Sequence, residues 1–473
     1  MNVLLFLMDA CQAEALSQTS ACITPHFNKL SKRGMQCNRA YCPSPTCSPS
    51  RASIMTGLLP HNHGVLEVEH GRDNDQCQLR KGKPHWAQHL SAAGFTTGFF
   101  GKWHIERSHQ LENFGWQHHW VKGAAHHAGL GAGVEPSALN LELDPQLTRY
   151  HHGPEGYRDI LHYGVTNTPP ADRYPEFTVD KTLEFLRENR ESSWCATASF
   201  SEPNEALVVS RETFERYHVA DIPLPKNLRD SFEDRPNLYE RQRKIAADLS
   251  DEEWRMARAC YYGRITEMDD QFGRLYQFLE EAGQLDETLI FVTSDHGRYL
   301  GAHGFDAHNF GPFEEIYRVP MIVSGPGIPF GRESDSLIGS HDLGPTILEM
   351  CGAGTINVPD SESFASVLKE PLTKSRESIY AENHGTRFSL TQRILWQDDW
   401  KFVFNGFDFD ELYHLTDDPW EMHNLIDAPE HQDRADGMMA AIWKTIRETG
   451  DRTLNETHYF SMRMGRVGPD FGC

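Results

Sequence analysis

The run VLLFLM at residues 3–8 has no polar interruption, so the strand it predicts must be covered on both faces. TLIFVT at 288–293 has the same character, and 96–100 and 194–200 are two further short strands. Helical segments lie between them. Residues 25–32 are bracketed by Thr24 as N-cap and Gly34 as stop; 86–93 and 178–191 also read as helices, and 251–283 contains a long one. Short buried strands separated by helices predict an α/β fold: a large, mostly parallel sheet sandwiched by helices.

Two stretches break this rhythm. Residues 123–172 are rich in Gly, His and Pro and read as loops around a pocket mouth. From residue 363 the chain changes to β-like runs at 378–382, 388–395 and 401–404, followed by a helix at 430–448. The expected division is a catalytic α/β domain over 1–362 and a smaller C-terminal α+β domain over 363–450. The polar tail 451–473 would then be an arm docking on a neighbouring subunit of a homo-oligomer.

Length and charge narrow the partners. A chain of 473 residues with net charge −23 is a poor ligand for nucleic acid or an anionic membrane. An anionic substrate requires a pocket that reverses this field locally. Residues 3–8 are too short to span a bilayer, and no basic n-region or cleavage site accompanies them. The cytoplasm is the default address, where the ten cysteines are expected as thiols. Five of them (Cys11, Cys22, Cys37, Cys42 and Cys47) crowd the first 47 residues without the CxxC pairing of a zinc site.

The candidate chemistry sits where strands end. CSPSRASIMTG at 47–57 places Cys47 in the first turn of a helix that Ser50 would cap and Gly57 would stop. Cys47 is then either a buried thiol or a nucleophile against the positive helix end, with Arg51 beside it to receive an anion. Asp9 follows the first strand, and Asp295 and His296 follow the strand at 288–293. Carboxylates and an imidazole at strand ends suit a divalent cation such as Ca²⁺, Mg²⁺ or Mn²⁺. GKWH at 101–104 delivers Lys102 and His104 two residues apart, a cation and a titratable ring able to hold an anion and protonate a leaving oxygen. His61 and His63 read as shapers of a loop.

Taken together, these stretches resemble the sulfatase family of the alkaline phosphatase superfamily. CSPSR, TGLLPHNHG from Thr56, GKWH, TSDHG, YRVPMIVSGPG at 317–327, DLGPTILEMCG at 342–352 and DELYHLTDDPWEMHNL at 410–425 fall in family order. The resemblance implies an alkaline-phosphatase-like fold and oxidation of Cys47 to formylglycine by a formylglycine-generating enzyme. It also implies one divalent cation, Ca²⁺ first, held by Asp9, Asp295, His296 and residue 47. Arg51 would hold formylglycine, Lys102 a sulfate oxygen, and His104 would steer a proton of the hydrated aldehyde.

Three positions depart from the family pattern. Ala10 stands where a second carboxylate or amide often follows Asp9, Asn204 where a histidine is expected after Pro203, and Asn309 where a lysine is expected. The two asparagines can still touch substrate, but neither can act as an acid near neutral pH. His308 is therefore the candidate acid. Sulfate ester hydrolysis is the first reading; a phosphonate monoester or phosphodiester hydrolase is the second, and a non-catalytic relative the third.

Overall fold

A computed structural model of the chain describes residues 1–71, 78–123, 141–153, 155–156, 159–204, 206–386, 390–452 and 461–472. Among these residues eight strands form the main sheet. Their order is Arg332–Ser334, Met35–Cys37, Met321–Ser324, Thr288–Ser294, Asn2–Asp9, Trp194–Pro203, Thr96–Gly101 and His118–Val121. All neighbours run parallel except the two pairs made by Met321–Ser324.

The first strand lies between two parallel partners, with Leu4 in register with Ile290 on one side and Ala196 on the other. Alternate side chains along it serve two cores. Val3, Leu5 and Leu7 join Phe291, Ile54, Trp86 and Ile347, under the helices Cys47–Thr56, Trp86–Ala92 and Leu343–Cys351. Leu4, Phe6 and Met8 join Val292, Phe27, Phe185 and Phe272, under Pro25–Arg33, Tyr174–Glu188 and Asp251–Glu281. This two-sided burial is why the run carries no polar residue. Phe6 packs at ring distances of 5.8, 4.5 and 5.5 Å from Phe27, Phe200 and Phe272. Truncating such a side chain costs about 3–5 kcal/mol.

The C-terminal strands Ser378–Asn383, Gln392–Gln397, Trp400–Asn405 and Glu411–His414 make an antiparallel sheet in that order. One face (Leu395, Phe402, Phe404) packs on Met438, Ile442 and Ile446 of the helix Gln432–Thr449. The other (Ile394, Trp396, Val403) belongs to the same core as the main sheet. Met462 enters the C-terminal core, and Trp443 Nε1 donates to the Val467 carbonyl at 2.8 Å. The described part of the tail thus folds back on its own chain. Among the described residues no helix is long and apolar enough to cross a membrane.

Two local expectations are corrected, and one strand was not anticipated. The stretch 123–172, expected as loops, contains the strands Arg149–His151 and Ile160–Thr166, which join Leu207–Ser210 in a three-stranded sheet. Residues 124–140 of it lie outside the described residues. Tyr163, Val165, Leu207 and Val209 pack in the core of the long helix Asp251–Glu281, so tertiary burial overrides a Gly- and His-rich composition. Ser50 does not cap its helix: the residue ahead of the first turn is Thr46, in extended backbone. Ser50 Oγ donates instead to the Asp295 carbonyl. Finally, Glu411–His414 is a strand that short alternation alone did not reveal; residue 388 of the expected run 388–395 lies outside the described residues.

Candidate active site

Asp9 ends the first strand, Asp295 and His296 follow Thr288–Ser294, Lys102 follows Thr96–Gly101, and Asn204 follows Trp194–Pro203. These four strands run parallel in one sheet, so their carboxyl ends deliver all of these residues to a single edge. The helix Cys47–Thr56, buried at every residue, closes over that edge with Cys47 as its first residue. Gly57, in the left-handed region at φ 71°, stops it, and its N–H donates to the Ser53 carbonyl.

Cys47 Sγ is the point on which the others converge. His296 Nε2 lies 3.1 Å from it, Asp9 Oδ1 3.8 Å, and His308 Nε2 and Asn204 Nδ2 each 3.9 Å. Arg51, 1% exposed, underlies the cluster. Its Nε donates to Asp295 Oδ2 at 2.6 Å, Nη1 to Ser199 Oγ at 2.7 Å and to the Lys102 carbonyl at 2.9 Å, and Nη2 to the Phe200 carbonyl at 3.0 Å. Nη2 also stands 3.5 Å from Asp9 Oδ2, which Lys102 Nζ contacts from the other side. Asn204 Nδ2 donates to Asp9 Oδ1 at 2.7 Å.

Burial alone would raise the Asp9 carboxyl, but Lys102, Arg51 and His296 hold it well below the usual carboxylate range. Burial, with Asp9 beside it, pushes the Cys47 thiol well up. Burial would lower Lys102, yet Asp9 raises it, so its ammonium persists.

The donors fit a divalent cation. One ligand atom each from Asp9, Cys47, Asp295 and His296 lies within 4.8 Å of all the others. His296 Nδ1 donates to the Gly297 carbonyl at 2.8 Å, which leaves the Nε2 lone pair directed at Cys47. Two carboxylate oxygens and an imidazole nitrogen beside residue 47 make a set that accepts a divalent cation.

Asn204 and His308 lie against Cys47 Sγ, whereas the hydrogen bonding of two other expected residues is directed elsewhere or open. His104 Nε2 is 3.0 Å from His70 Nδ1 and 3.4 Å from Glu69 Oε2. Burial, with Lys102 close by, keeps its ring well below the ordinary imidazole range. Asn309, at a left-handed φ of 75°, has a buried Oδ1 with no hydrogen-bond partner among the described residues. His61 and His63 lie in the short helix Pro60–His63. His63 Nε2 meets Ser53 Oγ at 2.9 Å and so braces the Cys47 helix. Ser199 and Arg298 carried no signal in the sequence. Ser199 anchors Arg51, while Arg298 Nη1 reaches Asn204 Oδ1 at 3.5 Å.

Residues 1–353 match the Sulfatase family model. The chain belongs to the sulfatase family. Residues 301–448 also match the model described as N-sulphoglucosamine sulphohydrolase, C-terminal. The choline-sulfatase of Rhizobium meliloti (strain 1021) is 26% identical over 449 residues, covering 90% of this chain and 83% of the relative. The arylsulfatase of Clostridium perfringens (strain 13 / Type A) is 26% identical over 476 residues, 95% of each chain. A solved phosphonate monoester hydrolase from Silicibacter pomeroyi shares the fold at a TM-score of 0.79 and 23% identity, with 96% of both chains covered. In this sulfatase Ala10 brings no side-chain oxygen, but its backbone N–H, at a left-handed φ of 61°, donates to Asp295 Oδ1 at 3.2 Å. Tyr261 OH donates to the Ala10 carbonyl at 2.8 Å and holds that turn.

Proposed function

We propose that this sulfatase hydrolyses a sulfate ester with residue 47 acting as formylglycine, its CH₂SH group replaced by CHO in the reaction of a formylglycine-generating enzyme. The observation that carries the reading is the convergence of Asp9, Asp295, His296, Arg51 and Lys102 on Cys47. Asp9, Asp295, His296 and residue 47 would hold the cation, with Ca²⁺ favoured by the carboxylates. When bound, the cation supplies Lewis acidity and favours ionisation of a hydroxyl on residue 47.

The hydrated aldehyde carries two hydroxyls. One attacks sulfur, the bond from sulfur to the alcohol oxygen breaks, and the alcohol leaves with a proton. The second hydroxyl then gives up its proton, the carbonyl re-forms, and the bond from its carbon to the sulfated oxygen breaks to release sulfate. Serine has no second hydroxyl for this step. Arg51 fixes both carboxylates, and the Lys102 ammonium stands ready for an anionic oxygen. His308, whose Nε2 is 3.9 Å from Cys47 Sγ, is placed better than His104 to protonate the alcohol.

Mass spectrometry of the peptide containing residue 47 tests the modification: aldehyde is lighter than thiol by a fixed amount. A fully thiol peptide from catalytically active protein refutes it. A panel of aryl sulfate, phosphonate monoester and phosphodiester substrates tests the reaction. Faster turnover of the phosphorus esters moves the site to the second class, and the absence of turnover on all of them with formylglycine present favours the binding relative.

A further inference from the structure

The stretch expected as pocket-mouth loops contains a second convergence of ligand-type side chains. His151 ends one strand of the three-stranded sheet, His162 lies in the next, and Asp306 comes from the segment after Asp295 and His296. His162 Nδ1 and His151 Nε2 stand 3.3 and 3.7 Å from Asp306 Oδ2, and one ligand atom from each residue lies within 4.8 Å of the others. The His162 side chain is fully buried, and among the described residues neither of its ring nitrogens makes a well-aligned hydrogen bond beyond the approach to Asp306; His151 Nε2 makes none either. A buried polar nitrogen left without a well-aligned partner costs about 1–3 kcal/mol, which a ligand at this point would recover. All three residues line a cavity of about 100 Å³, together with Arg298, Gln242 and Ile245.

We propose that His151, His162 and Asp306 form a second metal site, for a first-row divalent transition ion such as Zn²⁺. Ligand bonds of about 2.0–2.2 Å in tetrahedral geometry set ligand atoms roughly 3.4 Å apart, close to the spacings seen here. Two imidazoles and one carboxylate select against Ca²⁺ and Mg²⁺, which take oxygen ligands. The cavity has room beside the ion for about two waters at about 30 Å³ each. Arg298 Nη2, 3.3 Å from both Asp306 oxygens, does not preclude an ion. An ionised carboxylate has about four acceptor sites, and Asp9 is likewise flanked by Arg51 and Lys102. An anion is the poorer ligand, because Asp306 would face it.

The ion would have a consequence in the main site. Arg298 joins Asp306 to Asn204, and Asn204 donates to Asp9. A metal on Asp306 would make Arg298 and Asn204 a positioning chain reaching residue 47. The proposal is independent of the chemistry of residue 47.

Full-length, tag-free protein is stripped by a chelator, saturated with Ca²⁺ to fill the oxygen-rich site, and titrated with Co²⁺ as a visible probe of zinc-type geometry. One equivalent of Co²⁺ should bind, with the absorption bands of a low-coordinate nitrogen and oxygen site. His151→Ala, at a side chain 14% exposed, should weaken it at least about tenfold while the melting curve stays cooperative. X-ray absorption of Zn²⁺ in the Ca²⁺-saturated wild type should show two imidazole ligands, a readout that needs no variant. No Co²⁺ uptake above Ca²⁺, unchanged affinity in folded His151→Ala, or a zinc shell without imidazole each overturns the site. Loss of Ca²⁺ binding with Co²⁺ uptake intact would instead count against the catalytic cation alone.

Discussion

Two buried networks in this chain use the same residue types to opposite ends. At the seam below the C-terminal sheet, Glu382 accepts from the His61 backbone N–H at 3.1 Å, from the His61 ring and from His384 Nε2 at 2.9 Å. Arg393 Nη2 donates to Asp451 Oδ2 at 3.1 Å, and Asp360 accepts from Leu59 and Asn62 at 2.8 and 2.9 Å. Each of these three carboxylates meets a donor. At the candidate active site two carboxylates, an imidazole and the residue-47 side chain instead converge on one point, with His296 Nε2 3.1 Å from Cys47 Sγ and 3.7 Å from Asp9 Oδ1. Buried charge by itself therefore says little about function, whereas ligand-type atoms gathered on one reactive side chain single out a site.

The largest effect that sharpens this contrast lies at residue 47. Cys47→Ala and Cys47→Ser should both abolish steady-state turnover, with the Ser variant trapping sulfate after one event; normal turnover by it would sink the two-hydroxyl mechanism. Next comes a matched pair. Asp9→Asn should lower kcat on the order of 10³-fold. It should move the melting point less than the next change does, since Arg51 keeps Asp295, Ser199 and two carbonyls as partners and an asparagine oxygen can still accept from Lys102. Arg393→Met should do the reverse. It leaves buried Asp451 and Glu382 without their guanidinium, at about 3–5 kcal/mol, with kcat per folded molecule unchanged. Urea denaturation and active-site-normalised rates check both, and equal stability losses would erase the distinction drawn here.

What the sequence revealed follows from the range of each signal. The central strands were legible because burial on both faces forbids polar residues, and the site because each strand end carries its residue locally. Cys47, Asp9, Asp295 and His296 could be named without knowing that they touch. The strand Ile160–Thr166 was hidden, since its burial against Asp251–Glu281 is a tertiary fact. Ser199 and Arg298 were hidden for the same reason: each acts only through a residue distant in sequence.

A smaller effect concerns the leaving group. With Asn204 and Asn309 unable to act as acids and His104 held neutral, the proposed acid is His308, 3.9 Å from Cys47 Sγ. His308→Ala should slow alkyl sulfates about 10²-fold and a nitrophenyl sulfate only slightly, because nitrophenolate leaves unprotonated. The plot of log kcat/KM against leaving-group pKa should steepen. An unchanged slope would make His308 structural, a ring stacked on His296 at 4.4 Å.

The smallest effect belongs to the seam and is read in stability alone. Burial would lower the His61 pKa, but Glu382, with Asp451 and Asp360 nearby, raises it to about 9, against an ordinary value near 6.5. A base whose pKa is raised on folding binds its proton more tightly in the native state. Its contribution is therefore complete below about pH 6.5 and is lost as pH rises through about 9. Glu382, held well below the usual carboxylate range, titrates at the acid end and does not enter this window. Between pH 7.5 and 9 the native state should lose about 1–2 kcal/mol from His61, a shift of about one to two degrees in melting temperature for a chain of 473 residues. His61→Gln keeps a side-chain donor for Glu382 but removes the titration, so its melting temperature should be flatter across that interval. If wild type and His61→Gln fall with the same slope, the proton on His61 is not what ties the C-terminal sheet to the helix Pro60–His63.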